Sequence, residues 1–444
     1  MEKVIIVGAG LVGSLQAINM AKKGYEVEIY ERRPDMRKVD LIAGRSINLA
    51  LSNRGWKAIS EAGIQQEIEK IAIPMKGRIM HDEAGNTTFQ QYGKEDEAIF
   101  SVSRGLLNQK LMNCADEFEN VTFFFNHKCL DIDLKTNQVT FQDITTKDRE
   151  VVAEGKIFAT DGAFSAIRKR LMKTDRFNYE QMYLEHGYKE LTIPRAEDGG
   201  FKIDKNALHI WPRGEYMMIA LANEDGSFTC TLFFPFEGEN SFDSLQTEEQ
   251  VAQFFNRVFP DAIAMMPNLV EEYFENPTSS LVTVRCSPWN YKDQIIMMGD
   301  ASHAIVPFYG QGMNSGFEDC TVFNEIFEAN NRNWKESFNQ FAATRKKDAD
   351  AISTLALQNF IEMRDLVADE KFLLRKKIEK KIYDKYPNKW VPLYSQVTFS
   401  HTPYSEALAN GKRQEKIMDC IMAKPNIEVI WDSQEVEDEI LEMV

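Results

Sequence analysis

Residues 3–31, KVIIVGAGLVGSLQAINMAKKGYEVEIYE, decide the fold. Lys3 to Val7 is an apolar run without alternation, the pattern of a strand buried on both faces. Gly8-Ala9-Gly10-Leu11-Val12-Gly13 follows at once. Leu15, Ile18 and Ala21 then recur at helical spacing up to Gly24, a natural helix terminator. A second strand, Glu26 to Tyr30, leads to Glu31, eighteen residues past Gly13. In this strand–turn–helix setting, Gly8, Gly10 and Gly13 allow a tight turn, the approach of a diphosphate and close packing of helix on strand. Glu31 is placed to accept from ribose hydroxyls. The unit predicts a Rossmann-type α/β domain that binds a dinucleotide.

Two later stretches repeat the move from strand to turn to helix. Lys156 to Ala159 runs into Thr160-Asp161-Gly162, followed by Ser165, Arg168 and Leu171 on a helix; Asp161 and Arg168 read as a turn near the diphosphate. Residues 299–319, GDASHAIVPFYGQGMNSGFED, follow the apolar run Ile295 to Met298. Here Gly299-Asp300 stands at a strand tip, and Gly310 to Asn314 opens a helix carrying Phe317, Cys320, Phe323 and Ile326. Each stretch taken alone is equally an ordinary turn. In this order the three suit an extended FAD, its adenosine at Glu31 and its ring at 300–314. Asp300 would serve the ribityl chain, and the helix start at 312–314 would meet the electron-rich edge of the isoalloxazine. No second G-x-G-x-x-G occurs, so a pyridine nucleotide would have no Rossmann domain of its own.

The chain has 444 residues, 43% hydrophobic and 27% charged, enough for two or three domains of an ordinary soluble protein. A formal charge of −16 argues against nucleic acid or an anionic membrane as partner. None of the six cysteines forms a C-x-x-C pair, which points to neither a metal site nor a disulfide framework and suits a reduced, cytoplasmic setting. No apolar run reaches the ~18 residues of a membrane span.

Residues 207–235 give strands joined by the turn signals Pro212-Arg213-Gly214 and Asn223 to Gly226. Met217 to Leu221 is apolar at every position, so both faces of that sheet are expected to be covered. Thr247-x-x-Gln250 is a capping box. From about 334 onward the pattern is helical; Asn359 and Met363 lie one turn apart on one face, and the basic run at 371–386 reads as a solvated helix face. The expected organisation is a FAD-binding part over 1–175 and a sheet-rich substrate domain over 176–285. A second FAD-binding part then covers 286–330, and a helical region over 331–444 closes the substrate pocket.

Beyond these patterns, the chain resembles the kynurenine 3-monooxygenases, a family of single-component FAD-dependent aromatic hydroxylases, from residue 3 to about 406. The resemblance rests on GRSINLALSNRG, IPMKGRIMHDEAGN, SVSRGLLNQ, HGYKELTIP, LHIWPRGEYMMIAL, SFTCTLFFPF, HAIVPFYGQGMNSGFEDC, NFIEMRD and PLYSQVTFS. It implies tightly bound FAD, with NADPH and O2 as co-substrates. The implied reaction is hydroxylation of L-kynurenine to 3-hydroxy-L-kynurenine through a flavin hydroperoxide, in tryptophan degradation and NAD biosynthesis. The family's carboxylate-binding Arg and Tyr fall on Arg78 and Tyr92, and its substrate-binding Asn and second Tyr fall on Asn359 and Tyr394. Its ring-lining residues fall on Leu208, Met217, Ile219, Leu221, Phe233, Phe308 and Met363. FAD contacts map to Val12, Tyr30, Glu31, Arg33, Ala50, Arg104, Leu130, Asp161, Asp300, Met313 and Asn314, beside Gly8, Gly10, Gly13 and Gly312. Arg78 would offer a planar fork to a carboxylate. No catalytic group beyond the flavin is expected: His303 reads as a structural residue before a proton relay, and Tyr309 is a variable position beside the proposed flavin. The family's eukaryotic members carry a membrane-anchoring C-terminus; the expectation for this chain is a soluble monomer or homodimer without one. Two alternatives share the FAD signals: a hydroxylase of another aromatic acid, such as a hydroxybenzoate or salicylate, and a flavin-binding module without turnover.

Overall fold

The computed structural model describes residues 2–38, 48–152, 155–366 and 369–444, with the backbone alone at 365 and 366. The Gly44-Arg45-Ser46-Ile47 part of GRSINLALSNRG lies outside the described residues.

A six-stranded sheet carries the first motif. Its strands lie in the order Asn290–Tyr291, Ile295–Met297, Lys156–Ala159, Lys3–Val7, Glu26–Tyr30 and Val121–Phe124, parallel except for the first. Lys156–Ala159 sits between Lys3–Val7 and Ile295–Met297, so the tips at Gly8, Thr160 and Met298 stand side by side. Parallel strands covered on both sides must be apolar throughout, and Val4, Ile5, Ile6, Ile157, Phe158, Ile295 and Ile296 are all fully buried.

Close packing of helices on this sheet depends on missing side chains. A Cβ on Gly13 would lie 2.0 Å from the Gly8 carbonyl oxygen, and one on Gly316 would lie 2.7 Å from Val12 Cγ2. Helix Leu11–Lys22 therefore meets helix Gly312–Ala329 with Val12 seated against Gly316 and Gly299.

The second sheet has seven strands in the order Ser279–Ser287, Asn178–Ile193, Phe228–Pro235, Met217–Ala222, Ala207–Pro212, Gly77–His81 and Thr87–Gln91. The last two come from the N-terminal part of the chain, and Gly77–His81 joins Ala207–Pro212 in parallel, with Arg78 opposite Leu208. Strand alternation sorts the apolar run 217–222. Met218, Ala220 and Ala222 pack with Trp211, Leu232 and Phe234 under the helices Glu248–Val258 and Leu269–Glu275. Met217, Ile219 and Leu221 face the other way, toward the helical C-terminal region. Both faces are covered, as the unbroken run requires. Thr247 caps helix Glu248–Val258 with the reciprocal Gln250 bond expected of the box.

Two three-stranded sheets complete the framework. Beyond them, helix Trp334–Ile361 crosses the molecule and passes into a π-helical turn, Glu362–Leu366. Among the described residues no helix is long and apolar enough to cross a membrane.

Gly13→Ala is expected to cost about 1–3 kcal/mol, because the Gly8 carbonyl it meets is backbone and cannot rotate away. A lowered urea midpoint for unfolding of the Gly13→Ala protein checks this.

Candidate functional site

The glycine turn leaves room for a diphosphate. Helix Leu11–Lys22 begins at Gly10 with no side-chain cap and no acid in its first turn, and a Cβ on Gly10 would meet nothing within 4 Å. Its first N–H groups thus present a partial positive charge to open space. At the next strand tip, Glu31 is half-buried. One carboxylate oxygen accepts from the Ala9 N–H at 2.9 Å and the other from the Arg33 N–H at 2.9 Å, with lone pairs left over for further donors. The Tyr30 ring turns into the core between Phe124 and Phe141, with centroids 4.6 and 3.9 Å away. Leu130 is half-buried on strand His127–Asp133, and Arg104 is exposed at the start of helix Arg104–Asp116.

Asp161 follows the middle strand. Its Oδ2 accepts from Ala166 N–H at 2.6 Å, while Oδ1 is buried without a partner among the described residues, and burial raises its pKa. A buried carboxylate oxygen of this kind needs an N–H or O–H donor. Arg168 is buried and donates to the carbonyls of Ala301, at 2.8 Å, and Ala163, so it ties two turns together.

The third tip carries Asp300, exposed after Gly299, whose φ of +58° suits a residue without a side chain. The chain then returns through Pro307–Tyr309 and Gly310 (φ +66°) to helix Gly312–Ala329, again with no side-chain cap and no acid in its first turn. The first intrahelical bond runs from Ser315 N–H to the Gln311 carbonyl, leaving the N–H groups of Gly312, Met313 and Asn314 pointing beyond the helix. The Asn314 side chain is fully engaged: Oδ1 accepts from Ser52 N–H at 2.9 Å, and Nδ2 donates to the carbonyls of Ala50 and Gly310 at 2.8 Å each. What Asn314 has left for a ligand is its backbone. The open glycine turn, the unsatisfied Asp161 oxygen, exposed Asp300 and the second bare helix start fit FAD.

Under this third tip lies a buried ionic network that sequence reading missed. Asp319 accepts from His303 Nε2 at 2.6 Å, from the Gly299 N–H at 2.9 Å and from Arg345 Nε at 3.0 Å. Arg345 also meets Glu318 at 2.9 Å, and Glu318 pairs with buried Arg54, whose guanidinium lies 3.9 Å from the centre of the Tyr404 ring. Tyr404 in turn donates to Gln311 at 2.9 Å. Burial on its own would raise the Asp319 pKa; the His303 ring and the Arg345 guanidinium outweigh it and hold the carboxyl below the ordinary range. His303 is thereby committed to structure. The available signal was a pair of acids, Glu318-Asp319, set among the apolar positions Phe317 and Cys320 of a buried helix.

The residues matched to substrate binding gather on one side of the seven-stranded sheet. Register places Arg78, Leu208, Leu221, Ile219, Met217 and Phe233 on one face. Arg78 Nε donates to Gln90 Oε1 at 2.9 Å, which fixes the plane of its guanidinium. Tyr92, Tyr394 and Tyr309 stack in a row, with centroids 5.1 and 5.7 Å apart. Burial pushes the Tyr394 phenol up to about 12, against the pull of Arg78, so it stays a neutral hydrogen-bonding group at ordinary pH. Phe308 stacks on Phe360 at 4.1 Å and meets Phe233 at 4.8 Å, while Asn359 donates to the Phe308 carbonyl at 2.7 Å and to Met363 Sδ at 3.3 Å. Gln90 is a further residue of this group not anticipated from the sequence.

This combination of a single Rossmann-type sheet with a sheet-and-helix pocket defines a flavoprotein: the FAD binding domain family matches residues 1–337, and the fold is that of FAD-dependent aromatic hydroxylases. Among solved structures, 2-methyl-3-hydroxypyridine-5-carboxylic acid oxygenase superposes with a TM-score of 0.68 at 15% identity, over 88% of this chain and 98% of its own. The p-nitrophenol 4-monooxygenase of Pseudomonas putida DLL-E4 gives 0.66 at 15% identity, over 93% and 99%. Sequence comparison is more specific. The kynurenine 3-monooxygenase of Flavobacterium johnsoniae is 52% identical over 442 residues, covering 100% of this chain and 98% of its own. That of Dictyostelium discoideum is 46% identical over 430 residues, covering 94% and 92%. The chain belongs to the kynurenine 3-monooxygenase family, and the similarity extends past residue 406 to the whole described C-terminal region.

Asp319→Asn is expected to destabilise the fold by about 3–5 kcal/mol at neutral pH, since it leaves Arg345 and His303 without their shared partner. The folded Asp319 pKa lies below its unfolded value, so this contribution is complete above about pH 4 and shrinks as pH falls through the depressed folded value. Urea titrations of wild type and Asp319→Asn across pH 2–7 should therefore converge at the acid end.

Proposed function

We propose that the chain hydroxylates L-kynurenine to 3-hydroxy-L-kynurenine, with FAD resident and NADPH and O2 as co-substrates. The observation that carries this is Arg78, a fixed guanidinium on the sheet face that also carries Leu208, Met217, Ile219, Leu221 and Phe233, beside a row of tyrosines. Family membership at 42–52% identity supports it. FAD, when bound, supplies the oxygen activation; the residues of this chain bind, orient and shield the substrate.

Gly8, Gly10, Gly13, Glu31 and Asp161 would hold the adenosine and diphosphate side of FAD. Asp300 and the backbone of Gly312, Met313 and Asn314 would hold the ribityl and ring side. Arg33, Ala50, Arg104, Leu130 and Val12 would flank it. In the pocket, Gln90 occupies Arg78 Nε, which leaves the two terminal nitrogens as a fork for a carboxylate. Tyr92 and Tyr394 add neutral phenols beside it. The aromatic ring would lie against Leu208, Met217, Ile219, Leu221, Phe233, Phe308 and Met363. These side chains exclude water from the reacting face. An arylamine already directs electrons to the carbon beside it, so the pocket needs no strong base, and His303, bound to Asp319, supplies none. In this reading residues 1–175 and 286–330 grip the cofactor, 176–285 cover it and 331–444 close the pocket, with strand Gly77–His81 carrying Arg78 into the covering sheet.

Arg78→Ala should raise KM for L-kynurenine by the equivalent of about 2–5 kcal/mol while the protein stays yellow with FAD. Following 3-hydroxykynurenine by mass spectrometry with NADPH tests both points. Product from hydroxybenzoate or salicylate in place of kynurenine, or loss of flavin in Arg78→Ala, would contradict the assignment.

A further inference from the structure

Resting on that reading and deepening it, we infer that Asp261, His81 and His209 are positioning residues for Arg78. His81 donates from both ring nitrogens, and this two-ended clamp seats the strand that carries Arg78 against the covering sheet.

Strand Gly77–His81 needs such a clamp. It joins Ala207–Pro212 in parallel on one side, and on the other it has Thr87–Gln91, the mostly exposed edge of the sheet. Backbone pairing repeats every two residues, so side chains must select the register. Of this strand's side chains, only Met80 and His81 are buried. Alternation puts Arg78 and Met80 on the pocket face and His81 on the opposite one. A slip of two residues would carry Arg78 about 7 Å along the pocket wall and take His81 away from its partners.

The directions of the hydrogen bonds locate the protons. His209 Nε2 lies 2.8 Å from the Asp204 carbonyl, which can only accept, so that nitrogen carries a hydrogen. Burial pushes the His209 pKa down to about 4, so at neutral pH the ring is uncharged and its Nδ1 is an acceptor. His81 Nε2, 2.9 Å from that Nδ1, must therefore donate. His81 Nδ1 lies 2.7 Å from Asp261 Oδ2. Burial on its own would raise the Asp261 pKa; the His81 ring and the Trp211 N–H, 2.9 Å away, outweigh it and hold the carboxyl below the ordinary range. Asp261 is thus an acceptor, and His81 donates to it as well. A ring with a single N–H would leave one of these contacts without a hydrogen.

The surroundings hold the clamp rigid. His81 is buried and stacks on Trp211 with centroids 4.0 Å apart. Asp261 belongs to the short helix Pro260–Ile263, while His209 and Trp211 belong to strand Ala207–Pro212, so the ring is tied to two elements of the covering domain. The Arg213 guanidinium donates to the His81 carbonyl at 2.9 Å and to the carbonyls of Pro212 and Val258 at 2.8 Å each, which braces the backbone around the ring. Asp261, Glu83 and Asp82 balance the charge of Arg213. On the pocket side, Gln90 fixes the Arg78 guanidinium from the next strand, so both faces of this ribbon are held by polar contacts.

The test measures KM and kcat for L-kynurenine with NADPH, and the urea midpoint, in Asp261→Asn, His209→Leu and His209→Gln. Asp261→Asn removes the counter-charge and His209→Leu the second acceptor; each should raise KM about tenfold while kcat and FAD content stay within about twofold. His209→Gln, whose amide can accept from His81 and donate to the Asp204 carbonyl, should return KM to the wild-type value. A merely structural role would lower the urea midpoint and the amount of active enzyme without moving KM. In the wild-type protein, nitrogen NMR of the histidine rings at neutral pH should show His81, assigned through its cross-peaks to the Trp211 ring, with both nitrogens protonated. This reading needs no variant to fold. An unchanged KM in Asp261→Asn and His209→Leu, or a His81 ring with one bare nitrogen, overturns the clamp and leaves the proposed activity standing. A wild-type protein that leaves kynurenine unhydroxylated overturns the activity and the positioning role together.

Discussion

Asp319 is fully buried, and an isolated carboxylate in that position would be strongly unfavourable. It persists because three donors converge on it: the His303 ring, the Gly299 N–H and the Arg345 guanidinium. Each belongs to a different piece of the fold. Gly299 is the turn that presents Asp300, His303 is the end of the short helix after that turn, and Arg345 comes from the long helix Trp334–Ile361. Through Glu318 the network continues to Arg54 and the ring of Tyr404. A buried ionic cluster contributes less to net stability than to uniqueness of arrangement, because any other packing leaves a charge unpaired. Here the arrangement it selects is the one that sets the strand tip at Asp300 beside the bare start of helix Gly312–Ala329.

The same helix that supplies Arg345 supplies Asn359 one pocket further on. The network under the Asp300 turn and the proposed substrate wall are thus tied to one helix. The loop between them, Ala304 to Gln311, is held at both sides: Asn359 binds the Phe308 carbonyl, and Asn314 binds the Gly310 carbonyl. A substrate that shifts Asn359 or Tyr394 has a short path of packed groups, Phe308 and Tyr309, to the place where the flavin ring is proposed to lie.

The framework was legible because its rules are local. An unbroken apolar run before a glycine fingerprint can hardly be anything but a central parallel strand, and the runs at 156–159 and 295–297 take their places on one side of it. The two-sided burial of Met217 to Ala222 followed from the absence of alternation. The buried network was not legible, since Arg54, Glu318, Asp319 and Arg345 are charged residues on helices, the commonest surface pattern, and only tertiary packing turns them inward. The sequence placed Arg168 in a turn near the diphosphate but did not show the inward course of its guanidinium to two backbone carbonyls, which only tertiary packing sets. Nor does spacing reveal that Gly77–His81 leaves the N-terminal part to join the larger sheet, because a parallel pairing across some 130 residues carries no local signal.

The most direct measurement is the dissociation constant of FAD from Asp319→Ala, taken under conditions where circular dichroism shows the fold intact. If the buried carboxylate sets the Asp300 turn against the helix start, FAD should bind about tenfold or more weakly than to wild type, by loss of preorganisation. FAD held as tightly as in the wild-type protein would show that the cofactor site is built without the network, and the account would fail at its centre.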